Sequence, residues 1–217
     1  MENQEIFGHV DHTELKAYAT WSDIEKLCGE AIHYQTASVC IPPCYIKRVH
    51  DQYGDQVRIC TVVGFPLGYS TTAAKVLEAR EAIRDGALEV DMVINISDVK
   101  NGDFEKVLEE VKALRKATEG YILKVIIEAC YLTAEEKIKL CGIVTEAGAD
   151  YIKTSTGFGT GGATFEDVEL FRTHIGPDVK IKAAGGIRSK EDCERFLELG
   201  CDRLGTSSAV KILTGEQ

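Results

Sequence analysis

The sequence predicts an α/β protein, a (β/α)8 TIM barrel forming a single domain over residues 1–217, and three observations lead there. Short β-branched apolar runs alternate with longer amphipathic stretches along the whole chain, the pattern of a parallel sheet covered by helices. The runs number eight. Glycines close several of the amphipathic stretches, and three are followed by near-repeats: Gly86-Ala-Leu-Glu-Val-Asp, Gly148-Ala-Asp-Tyr-Ile-Lys and Gly200-Cys-Asp-Arg-Leu-Gly.

Strands are expected at Phe7 to Asp11, Ala37 to Ile41, Val57 to Val63, Leu88 to Ile94, Ile122 to Glu128, Asp150 to Thr154, Val179 to Ala184 and Arg203 to Thr206. Several are nearly continuous apolar runs, as strands shielded on both faces require, and eight such units close naturally into a barrel. The rival architecture is a doubly wound open sheet. It usually places a Gly-rich turn after its first strand, where this chain has Asp11-His12-Thr13-Glu14.

The helical stretches fit the same phase. After Asp103, Phe104, Val107, Leu108, Val111 and Leu114 fall on one stripe while Glu105, Glu109, Lys112 and Lys116 face away. Capping boxes are expected for Ser22 with Glu25, Thr133 with Glu136, Thr164 with Asp167, and Ser189 with Asp192, and helix ends at Gly86, Gly120, Gly148, Gly176 and Gly200. No linker or low-complexity segment interrupts the run, so one domain is expected.

Composition narrows the function classes. With 44% hydrophobic and 28% charged residues the chain is an ordinary globular one, and its net charge of −10 would repel nucleic acid. Any anionic ligand must be captured locally. Met1-Glu-Asn-Gln-Glu5 lacks the basic and apolar regions of a signal peptide, and Val125-Ile-Ile127 is stopped by Glu128. A cytoplasmic protein without a membrane segment is expected. Eight scattered cysteines without a Cys-x-x-Cys pair read as reduced, mostly core-filling thiols. The histidines at 9, 12, 33, 50 and 174 form no ligand spacing, so neither metal nor cofactor is expected.

Barrel active sites lie at the C-terminal strand ends, which draws attention to charged residues in otherwise apolar strands. Lys153 lies near the end of the sixth strand, Lys182 late in the seventh and Asp91 within the fourth. A lysine there can attack a carbonyl and form an iminium ion, an electron sink for breaking a carbon–carbon bond, provided its amine is neutral. Lys182 could supply the neighbouring charge that keeps it so, and Asp91 could shuttle protons. Each could equally be half of an ion pair, and Lys124 is a rival nucleophile because alternation alone does not exclude it from the interior.

A phosphate site is expected from Ala184-Gly-Gly-Ile-Arg188 and Leu204-Gly-Thr-Ser-Ser208, which follow the seventh and eighth strands. In barrels these loops commonly cradle phosphate with backbone N–H groups and a helix N-terminus. The alternative is that they are only tight turns. Residues 154–162, Thr-Ser-Thr-Gly-Phe-Gly-Thr-Gly-Gly, add a loop able to close over a sugar.

These residues carry a family resemblance over nearly the whole chain. Asp11-His-Thr, Val39-Cys-Ile, Val63-Gly-Phe-Pro-Leu-Gly68, Glu89-Val-Asp-Met-Val-Ile-Asn95, Tyr151-Ile-Lys-Thr-Ser-Thr-Gly-Phe158, Lys182-Ala-Ala-Gly-Gly-Ile-Arg188 and Leu204-Gly-Thr-Ser-Ser208 resemble the bacterial deoxyribose-phosphate aldolases. The resemblance implies reversible cleavage of 2-deoxy-D-ribose 5-phosphate, without a cofactor, by a homodimer. It makes Lys153 the Schiff-base nucleophile, Lys182 its charged neighbour and proton relay, Asp91 the proton donor and acceptor, and Lys124 a supporting polar residue. It places phosphate at Gly157, Gly185, Gly186, Arg188, Gly205, Ser207 and Ser208, and makes Asp11, Thr13 and Cys40 pocket-lining residues. Two departures stand out. Some relatives end in a longer tail with a proton-transferring tyrosine, whereas this chain stops at Leu213-Thr-Gly-Glu-Gln217, and Phe158 stands where some carry a lysine. Neither a tail-borne proton donor nor an extra cation for phosphate is therefore expected. A phosphate-binding barrel isomerase and a non-catalytic sugar-phosphate sensor remain the alternative readings.

Overall fold

The structure, a computed structural model, describes residues 1–215; the last two residues of the tail, on which the expectation about a terminal proton donor partly rests, lie outside them. Eight parallel strands pair in chain order and close on themselves: β1 (Val10–Thr13), β2 (Ser38–Ile41), β3 (Ile59–Val63), β4 (Glu89–Val93), β5 (Ile122–Ile126), β6 (Tyr151–Lys153), β7 (Lys180–Ala184) and β8 (Arg203–Thr206). Runs such as Ile59-Cys-Thr-Val-Val63 are buried throughout because one face packs inside the barrel and the other under helices. The eight strands fall where the sequence places them, most of them shorter by one or two residues at an end.

The first strand is the exception. Ile6 and Phe7 belong to a short helix, Asn3–Phe7, and β1 begins at Val10. Both side chains are buried, with Phe7 stacked on Tyr34 at 4.6 Å between ring centroids, so Phe7, which reads as the start of a strand, instead anchors a helix against its neighbour. Helix Trp21–Tyr34 also starts earlier than expected. Thr20 and Asp23 form its capping box, which leaves Ser22 inside the first turn. Two overlapping cap patterns compete there, and the one nearer the preceding loop prevails.

The boxes at Thr133 and Ser189 form as expected. At Thr164 only half forms: its hydroxyl accepts from the Asp167 amide at 3.1 Å, but the Asp167 carboxylate is drawn to Lys137 at 2.6 Å. A local cap has yielded to an interhelical ion pair. Helix Phe104–Ala117 buries Val107, Leu108, Val111 and Leu114 as its stripe requires, and it adds a buried Glu110. Gly86 ends its helix at φ 115°, and a Cβ there would lie 2.5 Å from the His50 ring, so both backbone and space demand glycine.

Candidate active site

Asp91 and Lys124 are register partners on β4 and β5, and Lys153 and Lys182 are register partners on β6 and β7. Side chains alternate across a strand, so equal parity on registered strands turns all four into the barrel. Lys153 pairs in register with Ile126, two residues beyond Lys124, which sets it about 6–7 Å further along the sheet toward the C-terminal mouth. The consequence separates the two lysines. Lys153 opens onto a cavity of about 350 Å³ that Thr13, Gly157, Gly185, Gly186, Gly205, Ser207 and Ser208 also line, whereas Lys124 is wholly buried and lines no part of that wall.

Asp91 is the hub. Its Oδ2 accepts from Lys153 Nζ at 2.8 Å and from Lys182 Nζ at 2.7 Å, and its Oδ1 accepts from Lys124 Nζ at 2.8 Å. Lys182 also pairs with Asp11, while Lys124 lies 2.6 Å from Glu89 Oε2. Arg203 ties Asp11 to Glu89, bonding the latter with both guanidinium nitrogens at 3.0 and 3.1 Å. Three buried carboxylates thus face four bases.

The field of this cluster fixes most of its charges. Burial alone would raise the Asp91 carboxyl, but Lys124, Lys153 and Lys182 outweigh it and hold the group well below the usual carboxylate range. Burial likewise opposes the charge on Lys182, and the carboxylates of Asp11 and Asp91 overcome it, so Lys182 titrates above an ordinary lysine. Lys124 and Arg203 are raised for the same reason. Three carboxylates are matched by three fixed cations. Lys153 has no carboxylate of its own, since it shares Asp91 Oδ2 with Lys182.

The phosphate-binding candidates divide. Gly157, Gly185 and Gly186 line the cavity at φ of 87°, 78° and 77°, the left-handed region that favours glycine. Gly205 has another reason to lack a side chain: a Cβ would stand 3.1 Å from Lys182 Cε and 2.9 Å from Ala184 Cβ. Three expected binding residues lie elsewhere. Arg188 is exposed and does not line the cavity; its amide donates to Asp192 at 3.0 Å as part of a helix cap. Asp11 is fully buried beneath the site, where it holds Lys182, and Cys40 is buried beside Cys60 rather than lining the cavity. Sequence alternation assigns an inward direction but not a depth, which accounts for the positions of Asp11 and Cys40. Phe158 lines the mouth and stands edge-on to Phe65 at 5.4 Å, an apolar rim in place of a cation.

Glu128 has a positional role that its sequence context did not signal. It sits in the left-handed region at φ 50°, unusual for a residue with a side chain, and is buried. Its carboxylate accepts from the Thr156 amide at 3.1 Å and from the Thr156 hydroxyl, and the Ala129 amide donates to Thr154 O at 2.8 Å. The end of β5 thereby clamps the segment between Lys153 and Gly157. Glu128→Gln weakens a charge-assisted bond, so KM for a phosphorylated substrate is expected to rise about tenfold while the non-phosphorylated analogue changes less. Equal losses for both substrates would assign Glu128 to folding alone. A second support lies behind β4, where buried Lys75 donates to Val93 O at 2.8 Å and to Glu110 at 2.8 Å, and Glu110 accepts the Asn95 amide at 3.0 Å.

A sugar-phosphate isomerase on this scaffold needs no amine able to form an imine, whereas a Schiff-base aldolase cannot work without one; fold and site fit the second class. Residues 6–207 match the family model described as DeoC/LacD family aldolase, and the chain belongs to that family. A deoxyribose-phosphate aldolase of Clostridium botulinum strain Alaska E43 is 65% identical over 217 residues, covering 100% of this chain and 98% of the relative. One from Clostridioides difficile strain 630 is 58% identical over 211 residues, covering 97% and 96%. Among solved structures, the tetrameric deoxyribose phosphate aldolase of Aeropyrum pernix superposes with a TM-score of 0.91 at 33% identity, over 98% of this chain and 91% of that one. The chain is an aldehyde-lyase.

Proposed function

We propose that this enzyme reversibly cleaves 2-deoxy-D-ribose 5-phosphate to D-glyceraldehyde 3-phosphate and acetaldehyde, a step of deoxyribonucleoside catabolism. The observation that carries the reading is Lys153, the one base of the buried cluster that lines the cavity bounded by Gly185, Gly186, Ser207 and Ser208.

The Lys153 amine attacks the C1 aldehyde of the open-chain sugar, giving a carbinolamine that loses water to become an iminium ion. Asp91, 2.8 Å from Lys153 Nζ, is placed to hold and return the protons of these steps. Lys182 supplies fixed positive charge and a proton path between Asp91 and Asp11. The iminium draws the electron pair as the C2–C3 bond breaks and the C3 hydroxyl gives up its proton, releasing glyceraldehyde 3-phosphate and leaving an enamine. Protonation of that enamine at C2 and hydrolysis then free acetaldehyde and the lysine. Phosphate held at the loops after β7 and β8, with Gly157, sets the register of the sugar against Lys153; Thr13 lines the same cavity. No metal or other cofactor enters this sequence of steps.

The homodimer implied by the family resemblance is our working assembly, and sedimentation equilibrium distinguishes it from a tetramer. A cytoplasmic location is proposed as well; among the described residues no helix is long and apolar enough to cross a membrane. The net charge of −10 argues against nucleic acid as a partner.

The phosphate assignment is tested at Ser207. Ser207→Asp places a negative charge against the substrate anion, and kcat/KM for the phosphorylated sugar is expected to fall by about two to three orders of magnitude, toward the value for 2-deoxyribose itself. A folded variant that kept full preference for the phosphorylated sugar would move the anion site elsewhere.

A further inference from the structure

We propose that Cys40 and Cys60 are an oxidation site, a dithiol beside Asp91 that hydrogen peroxide converts into an intramolecular disulfide and so switches the enzyme off. The residues are register partners on neighbouring parallel strands. Adjacent strands lie about 4.8 Å apart, within the roughly 4.4–6.8 Å between Cα atoms that a disulfide spans, so the backbone is already at bridging distance. The side chains are directed alike. Both sulfurs and a carboxylate oxygen of Asp91 lie within 4.8 Å of one another.

The pair is chemically asymmetric. The neighbouring Cys60 side chain holds the Cys40 thiol below its ordinary range against burial and the Asp91 carboxylate, with the Lys182 ammonium group assisting. Burial, the neighbouring Cys40 and the nearby Asp91 keep the Cys60 thiol protonated. One sulfur is thus poised to attack and the other to resolve. Cys40 thiolate takes the terminal oxygen of the peroxide and breaks the O–O bond, giving sulfenic acid and, after protonation, one water. Cys60 sulfur then displaces the sulfenic oxygen, which leaves as a second water with the Cys60 proton. Two thiols and one peroxide become one disulfide and two waters, a two-electron oxidation.

Access and consequence both follow from the surroundings. Both sulfurs are buried, but Leu15 packs on the pair, the Cys40 carbonyl accepts the Glu14 amide at 3.0 Å, and Glu14 and Leu15 line the substrate cavity. A small oxidant can enter by that wall where a bulky thiol reagent cannot. In the reduced state Cys60 donates to Asp91 Oδ1 at 3.2 Å and accepts from Lys124 Nζ at 3.3 Å. A disulfide removes that donor and redirects the sulfur, shifting the balance of bonds on the carboxylate where Lys124, Lys153 and Lys182 converge. The loss of activity, though not the bridge itself, rests on the catalytic role proposed for Asp91.

The test uses full-length Cys44→Ser/Cys130→Ser protein, which removes an exposed and a partly exposed thiol. Folded enzyme is treated with hydrogen peroxide, alkylated, digested without reductant and mapped by mass spectrometry, with activity followed in parallel. The expected result is loss of two hydrogens per chain, one Cys40–Cys60 cross-linked peptide, and a fall in activity of about tenfold or more that dithiothreitol reverses. Recovery of Cys40 and Cys60 as free thiols after prolonged treatment would overturn the site. A mapped bridge with unchanged activity would overturn the switch, as would an equal, reversible loss in the same protein carrying Cys60→Ser. The cross-link is read by mass, so its failure is distinguishable from a failure of the aldolase reading.

Discussion

Lys153→Met is expected to lower kcat by about four orders of magnitude or more while leaving the fold intact, because the covalent route is removed at its first atom. The companion measurement is direct. Wild-type enzyme incubated with acetaldehyde and borohydride should gain one ethyl group on Lys153, and the Met variant should gain none. Lys124 and Lys182 are more deeply buried and are held as ammonium ions by their carboxylates, so neither should be labelled. Label confined to either would reverse the assignment of the nucleophile and with it the reading of the charge arrangement.

Lys182→Met is expected to slow imine trapping at neutral pH by about two to three orders of magnitude. The physical reason lies in the shared oxygen. Lys182 and Lys153 both bond Asp91 Oδ2, and Lys182 carries the fixed charge because Asp11 and Asp91 together hold its proton. Removing that cation leaves Asp91 Oδ2 to Lys153 alone, which favours the ammonium form of the attacking amine. Methionine keeps much of the apolar length but leaves Asp11 with Arg203, Lys124 and Ser38 as its near partners. Trapping should therefore recover partly as the pH is raised, and circular dichroism should report an unchanged fold. The recovered fraction measures the electrostatic role, and the unrecovered remainder measures proton relay through Lys182. A pH profile parallel to that of wild type would remove the electrostatic role and leave the relay.

A Lys124→Met variant is expected to behave differently from Lys182→Met. Both lysines are buried cations on Asp91, but Lys124 is additionally bound to Glu89 at 2.6 Å and sits beneath the cavity floor. Its removal would take one buried cation from the cluster, leaving Glu89 to Arg203 and Asp91 to Lys153 and Lys182, a loss expected to appear mainly in stability. Burial on registered strands gives these two lysines similar environments and different functions.

Much of this molecule is legible in its sequence. Alternating strand and helix patterns are local properties of the chain, and eight of them admit few closures, which is why β2 to β8 appear where the apolar runs stand. Lys153, Lys182 and Asp91 could be singled out because a charged residue in an otherwise apolar strand is conspicuous, and the glycine pairs because anion cradles need backbone freedom. Tertiary structure decided what depends on distance across the barrel. Strand register set Lys153 two residues beyond Lys124 and so determined which amine opens to the cavity. It sank Asp11 and Cys40 below the wall they were expected to line, left Arg188 outside, and brought Glu128 onto Thr156 from a neighbouring strand end. It also shared one carboxylate oxygen between two lysines, an arrangement of residues 62 and 91 positions apart that no local pattern encodes. Alternation along a strand fixes which way a side chain points; only closure of the sheet fixes what it meets there.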